Sequence, residues 1–325
     1  MKNYLKKAFS LIELSIVILI IGILVAGVTQ SSRLINQMKI STAKNLTRSS
    51  GVENRNLMFW WETTLDESFI SGEASDGNEI TQWNDINPLN LDKLNGYRGQ
   101  RTNGSAFNYD PSGNPITKGP NYISNGINNL PTLRFPGTAS QSIYLQTDTK
   151  FKVNNSRDLL LFIVVRYYGG SGWLIDRVCQ NFSGYAVTCG VSSTLVGQPL
   201  FNVGMNGGAL SGLIRGNNGS QFLELNSPNN SFMINKTPMI ITLERKFKKF
   251  FTIYVNGKQL LQAVDSVGIV ADIDMVKLGR HSENTSDNLN FDVSEFIYFN
   301  GTVNDEERDS IENYLGKKFN IKVSN

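Results

Sequence analysis

The apolar positions of this chain fall into two regimes. Residues 14–28 form one nearly unbroken apolar run, whereas beyond about residue 57 apolar residues come in short clusters separated by Gly, Asn, Pro and Ser. A continuous run with no strand period predicts a helix, and with Phe9, Leu11 and Ile12 it reaches the roughly 20 residues that span a hydrocarbon core. Residues 33–48 are polar, but Leu34, Ile35, Met38 and Leu46 keep near-helical spacing, so the helix is expected to continue to about residue 48, with Gly51 as its stop. The later clusters predict strands near 57–61, 80–83, 132–135, 159–168, 185–191, 200–203, 222–225, 239–244, 251–255, 259–261, 276–278 and 293–299. Asn256-Gly257 marks a two-residue hairpin, because both positions readily take positive φ. Residues 95–129 are rich in turn formers and poor in apolar residues, which predicts a long surface excursion. A last helix follows Asn304, with Glu307 completing a capping box and Ile311, Tyr314, Leu315 and Phe319 forming one apolar stripe.

Charge sharpens the reading of the first run. The net charge is +3, but Lys2, Lys6 and Lys7 precede the run, and without them basic and acidic residues are equal at 28 each. The positive flank places the N-terminus on the cytoplasmic side and residues after about 30 outside. The balance elsewhere argues against a nucleic-acid partner; Arg245, Lys246, Lys248 and Lys249 read as a hairpin turn. Glu13 does not fit a plain anchor. A lone carboxylate inside an apolar helix costs about 2.5–3.5 kcal/mol at the helix centre, so its presence points to a use.

The stretch Lys6-Lys7-Ala8-Phe9-Ser10-Leu11-Ile12-Glu13-Leu14 closely resembles the prepilin cleavage and methylation motif of type IV pilins and type II secretion pseudopilins. The resemblance implies cleavage between Ala8 and Phe9 by a prepilin peptidase and N-methylation of Phe9. It also implies a role for Glu13 in subunit assembly, where the carboxylate meets the N-terminal amine of a neighbouring copy. Ala8 stands where Gly is usual, and Gln30 where many major pilins carry Pro; the missing Pro leans toward a minor pilin or pseudopilin. A conventional signal peptide cut near Ala26 or Gly27 is the competing reading, opposed by Glu13 and by the length of the run. A single-pass anchor that never polymerises is another.

Several later segments together resemble concanavalin A-like, laminin-G-type jelly-roll domains: Phe59-Trp60-Trp61-Glu62, Thr81-Gln82-Trp83-Asn84-Asp85, Leu130-Pro131-Thr132-Leu133-Arg134-Phe135-Pro136-Gly137 and Ser294-Glu295-Phe296-Ile297-Tyr298-Phe299-Asn300-Gly301. The expected architecture is a long N-terminal transmembrane α-helix, an all-β two-sheet sandwich and a short C-terminal helix. The expected division is a leader at 1–8, the extended pilin helix at 9–50 and the β-sandwich at 57–325. Trp60, Trp61 and Trp83 are assigned to its core. Cys179 and Cys189, flanked by strand-like segments, suit a disulfide across a hairpin if the domain is exported; two unrelated thiols are the alternative.

Catalysis is not expected. His281 is the one histidine and lies in a polar stretch, no Gly-x-Ser-x-Gly elbow occurs, and no Cys/His cluster has zinc spacing. Asp292 and Glu295, three apart on a predicted strand, are expected on opposite faces, which disfavours a paired-carboxylate glycosidase site. No cofactor is expected. The laminin-G resemblance leaves calcium open, with Asp76, Asp85 and Asp110 in candidate loops; the competing role for each is to satisfy local turn backbone. Sugar binding would draw on Trp173 near Asp176 and Arg177, or on Tyr167 and Tyr168. The expected partners are the peptidase and methyltransferase, other pilin subunits, membrane lipid and a glycan or other surface ligand. The expected location is the bacterial inner membrane with the head periplasmic, then a pilus, pseudopilus or cell surface. The alternatives are a non-polymerising carbohydrate-binding adhesin and, least supported, a surface glycan hydrolase.

Overall fold

A computed structural model describes residues 11–53, 55–98, 100–102, 105–107, 118–137, 145–147, 158–178, 199–206, 208–215, 221–229, 231, 236–267, 275–279 and 289–324. The first helix, α1, runs Leu11–Arg48 and the second, α2, Asp305–Phe319. Strands follow in chain order: Leu57–Glu62 (β1), Gln82–Trp83 (β2), Gly96–Arg98 (β3), Gln100–Thr102 (β4), Ser105–Phe107 (β5) and Asn121–Ile123 (β6). Next come Thr132–Pro136 (β7), Leu145–Gln146 (β8), Leu159–Gly169 (β9), Gly172–Val178 (β10), Pro199–Asn206 (β11) and Ala209–Arg215 (β12). The last are Phe222–Asn226 (β13), Pro238–Lys246 (β14), Phe250–Val255 (β15), Lys258–Val264 (β16), Met275–Leu278 (β17) and Asn290–Asn300 (β18).

Among the described residues these strands form two eight-stranded antiparallel sheets and one small hairpin, β4–β5. The first sheet has the order β16-β15-β14-β9-β18-β7-β6, with β1 also paired to β18; the second has the order β13-β12-β11-β10-β17-β8-β3-β2. Strand β18 is the spine: β7 pairs its first half, β1 its second half, and β9 its whole length. The sheets enclose a core that includes Phe59, Trp61, Trp83, Phe135, Ile163, Tyr167, Phe291 and Phe296. A second apolar layer on the outward face of the first sheet collects Trp60, Phe162, Val164, Ile297 and Phe299 under Ile311, Tyr314, Leu315 and Phe319 of α2. The molecule is therefore a β-sandwich with α2 and the C-terminal end of α1 laid on one outer face.

The capping box at Asn304 and Glu307 is present in both directions, and α2 ends at Asn320 in the left-handed region. Asn256 and Gly257 take φ of 52° and 80°, as a two-residue hairpin requires. Three expectations are corrected. Part of 95–129 is not excursion: Gly96–Arg98 and Asn121–Ile123 each join a sheet, and Tyr122 packs in the core. Strand β12, Ala-Leu-Ser-Gly-Leu-Ile-Arg, was not expected, because its glycine masks the period. A Cβ at Gly212 would sit 2.8 Å from Cδ1 of Ile253 in the opposite sheet, so the glycine leaves room for that side chain. Third, β18 carries a bulge between Val293 and Glu295. Asp292 lies opposite Arg166 and Glu295 opposite Val164, so the extra residue, Ser294, puts both acids on the same outward face. The expected strand at 185–191 lies outside the described residues.

Candidate functional site

The first functional element is α1. At 1.5 Å per residue its 38 residues extend about 57 Å. Within it lies an 18-residue window of mean hydropathy 2.9, none of it buried against the rest of the chain; by length and composition the helix can cross a membrane. Leu11, Ile12, Leu14, Ile16 and their successors to Val28 are all exposed. The polar side chains in and just after the run are satisfied within the helix: Ser15 donates to the Ile12 carbonyl, Thr29 to those of Val25 and Ala26, and Ser31 to that of Gly27. Glu13 stands near the start of this surface and is exposed with it. Ala8 and Phe9 lie outside the described residues.

The second element is the joint between α1 and the sandwich. The helix end lays Ile40, Ala43 and Leu46 on the apolar layer beside α2. Below them is a fully buried polar cluster centred on Lys318. Its Nζ donates to Thr47 Oγ1 of α1 at 2.7 Å, Glu295 Oε2 of β18 at 2.8 Å and Glu62 Oε2 of β1 at 2.9 Å. With the Tyr314 hydroxyl at 3.2 Å as a fourth, longer contact, all three ammonium hydrogens are used. Glu295 Oε1 accepts from Trp60 Nε1 and from the Tyr314 hydroxyl, both at 2.7 Å. Glu62 accepts from the backbone N–H groups of Thr64 and Leu65 and from the hydroxyls of Thr64 and Ser68. Thr47 donates its own hydrogen to the Ala43 carbonyl. One cluster thus ties α1 and β1, near one end of the chain, to β18 and α2, near the other.

Two fully buried carboxylates share one ammonium, and the protein resolves the surplus charge unequally. Burial alone would raise the Glu62 pKa, but the Lys318 charge and the hydroxyl donors Ser68 and Thr64 outweigh it and hold it below the usual value. Glu295 is pushed up, by burial first and then despite Lys318, with the Glu62 charge adding to the rise. Burial would lower Lys318, yet the Glu295 and Glu62 carboxylates hold it raised. A separate acid on the same helix, Glu312, is buried with one oxygen accepting from Thr242 Oγ1 at 2.6 Å and the other unpartnered. Burial pushes it up to about 7.

The remaining predicted residues are dispersed. Asp85 is buried; its Oδ1 accepts from the backbone of Trp60 and Asn87, its Oδ2 from that of Leu94, and burial raises its pKa against those bonds. Asp76 accepts from the backbone and hydroxyl of Ser124, and the backbone bond leads in lowering its pKa. Among the described residues no group of three or more His, Cys, Asp or Glu is arranged to hold a metal ion. Asp110, Cys179, Cys189 and His281 lie outside the described residues. Tyr167, expected as a sugar-binding candidate, is a core residue, because the inward register of β9 points it between the sheets. Tyr168 faces outward beside Asp292. Trp173 is partly exposed on β10, opposite Gly204. Lys318 escaped the sequence reading because a lysine on a surface helix is assumed solvated. The available signal was its position on the helical stripe, between Leu315 and Phe319.

Residues 4–29 match the family model described as the prokaryotic N-terminal methylation motif. No curated protein matches the chain. Among solved structures, the binding domain of Paraclostridial Mosquitocidal Protein 1 is similar at 13% identity and a TM-score of 0.49, covering 80% of this chain and 52% of that one. The botulinum neurotoxin serotype D ligand-binding domain, solved with N-acetylneuraminic acid, is similar at 9% identity and a TM-score of 0.48, covering 81% and 51%. A mutant of HCR/D is similar at 9% identity and a TM-score of 0.50, covering 82% and 52%. This chain spans about half the length of those structures, and at such identity a likeness concerns fold alone. The class defined by fold and motif is an N-terminal apolar helix bearing the prokaryotic methylation motif, joined to a β-sandwich.

Proposed function

We propose that the chain is a filament subunit of the type IV pilin class, a minor pilin or pseudopilin, whose helix first sits in the inner membrane and then packs into a filament core. The observation that carries this reading is Glu13, held within an exposed apolar helix that also bears the matched methylation motif. In a low-dielectric bundle a carboxylate is favoured where it meets a cation, so contact with the amine of an adjoining subunit's Phe9 selects one axial register. A prepilin peptidase that cuts before Phe9 on the cytoplasmic side supplies that amine. The sandwich then faces outward and presents a surface for a ligand. Its size beside an ordinary pilin head favours a tip or sparse position over a repeating shaft.

A non-catalytic head is part of the proposal. Supporting it, Asp292 and Glu295 share a face yet each is committed elsewhere, Asp292 to Arg134 and Glu295 to Lys318. The test is mass spectrometry of the mature N-terminus together with the Glu13→Ala variant. A chain beginning at methylated Phe9, and a variant that reaches the membrane but is lost from sheared filaments, is the expected result. An intact Met1, or unchanged incorporation of the variant, reduces the protein to a tether.

A further inference from the structure

The two helices cover only part of the outward face of the first sheet. Beyond the apolar rows lies a polar one, in lateral register across five strands: Asn121, Arg134, Asp292, Arg166 and Pro238. Asp292 is fully buried at its centre. Arg134 clamps it in two bonds, Nε to Oδ1 at 2.8 Å and Nη2 to Oδ2 at 3.0 Å. Tyr168 donates its hydroxyl to Oδ2 at 2.6 Å, and the Arg134 guanidinium lies 5.2 Å from the Tyr168 ring centre.

The second arginine is what needs explaining. One carboxylate neutralises one guanidinium, and Arg134 already fills that role in a bidentate pair. Arg166 makes only long bonds, Nη1 to the Tyr168 hydroxyl at 3.4 Å and Nη2 to the Gly126 carbonyl at 3.3 Å, and its Nε has no partner. Arg134 leaves Nη1 without a partner among the described residues, and its side chain is 38% exposed. The row therefore carries one unbalanced positive charge, with Arg134 Nη1 and the loosely held Nη groups of Arg166 to offer, beside a partly exposed aromatic ring and the partly exposed amides of Asn121 and Asn290. Planar donors fit a carboxylate or sulfate, and a ring beside amides fits the faces and hydroxyls of a sugar.

We propose that this patch binds an acidic saccharide, its carboxylate or sulfate seated against Arg134 and Arg166 and its ring against Tyr168. The proposal gives the outward-facing head a ligand class and so rests on that reading; binding in detergent, however, does not require assembly, so the two fail separately. The full chain in detergent micelles is titrated calorimetrically with 3′-sialyllactose, with a sulfated disaccharide and with neutral lactose; the first two arms separate carboxylate from sulfate. Saturable binding of at least one acidic sugar but not of lactose is expected, weakening between ~50 and ~300 mM salt. Arg166→Gln should weaken it about tenfold or more at unchanged melting temperature, with Arg166→Lys intermediate because the planar fork is lost and the charge kept. Equal behaviour of acidic and neutral sugars, or affinity unchanged in both Arg166 variants, overturns the proposal.

Discussion

The ammonium of Lys318, in the last turn of the C-terminal helix, donates to the hydroxyl of Thr47, in the last turn of the N-terminal helix, over 2.7 Å. The two residues are 271 positions apart, and their bond is buried. It fastens the end of the apolar helix to the sandwich. The exposed Lys44–Asp66 pair at 2.6 Å lies nearby, but an exposed ion pair contributes only about 0–1 kcal/mol.

Removing either side of that joint should therefore be costly, in different measure. Thr47→Val removes the shortest Lys318 bond and leaves its hydrogen only the Tyr314 hydroxyl at 3.2 Å, a loss of about 1 kcal/mol. Lys318→Met leaves two carboxylates without their cation, a loss of about 3–5 kcal/mol. The Lys318→Met defect should ease as pH falls and Glu295 takes a proton, since protonation removes a buried charge. Denaturant unfolding of both variants across pH checks the order and the pH trend.

Glu312 should make stability fall with rising pH. Its folded pKa is about 7, above the ordinary carboxylate value of 4.5, so between those limits the folded state holds more protons than the unfolded chain. The Glu312 contribution is then greatest below pH 4.5, declines through the interval and levels off above about 7, by at most on the order of 3 kcal/mol. Glu312→Gln should flatten that segment of the pH profile and be more stable than the parent at pH 8. A parent profile with no decline between those limits would contradict the assignment.

Asp85 should prove structural. Its carboxylate satisfies three backbone N–H groups, two of them from the loop that follows β2. Asp85→Ala should cost about 3 kcal/mol or more by leaving those donors buried without acceptors. Adding calcium or a chelator should not shift the melting temperature of the parent, because both oxygens are already committed. A calcium-dependent rise that is lost in Asp85→Asn would instead assign Asp85 to a metal.

Gly119 should not tolerate a side chain. A Cβ there would stand 2.0 Å from the Ile80 carbonyl oxygen, and backbone cannot swing away as a flexible side chain can. Gly119→Ala should destabilise by about 1–3 kcal/mol, read from thermal unfolding. Gly22→Ala, where an added Cβ meets nothing within 4 Å, is the matching control and should leave head stability unchanged.

Much of this molecule was legible because its signals are local. The run from Leu11 to Val28 sets a membrane-length helix whatever surrounds it. Asn304 with Glu307 starts a helix, and Asn256-Gly257 turns a hairpin, by chemistry confined to a few residues. Strands β9, β14 and β18 announce themselves through β-branched and aromatic runs. Strand β12 did not, because Gly212 answers to Ile253 on another sheet and not to its own neighbours.

The sequence by itself determined the two-part plan, an apolar helix carrying Glu13 followed by a β-rich domain, since hydrophobic period and turn chemistry act over short range. Tertiary structure decided which charges meet. The Ser294 bulge turned Glu295 to the same face as Asp292, and packing of α2 brought Lys318 to Glu62, Glu295 and Thr47. A buried charge is tolerable only beside its partner, and that partner is chosen by the register of distant strands, which no local pattern encodes.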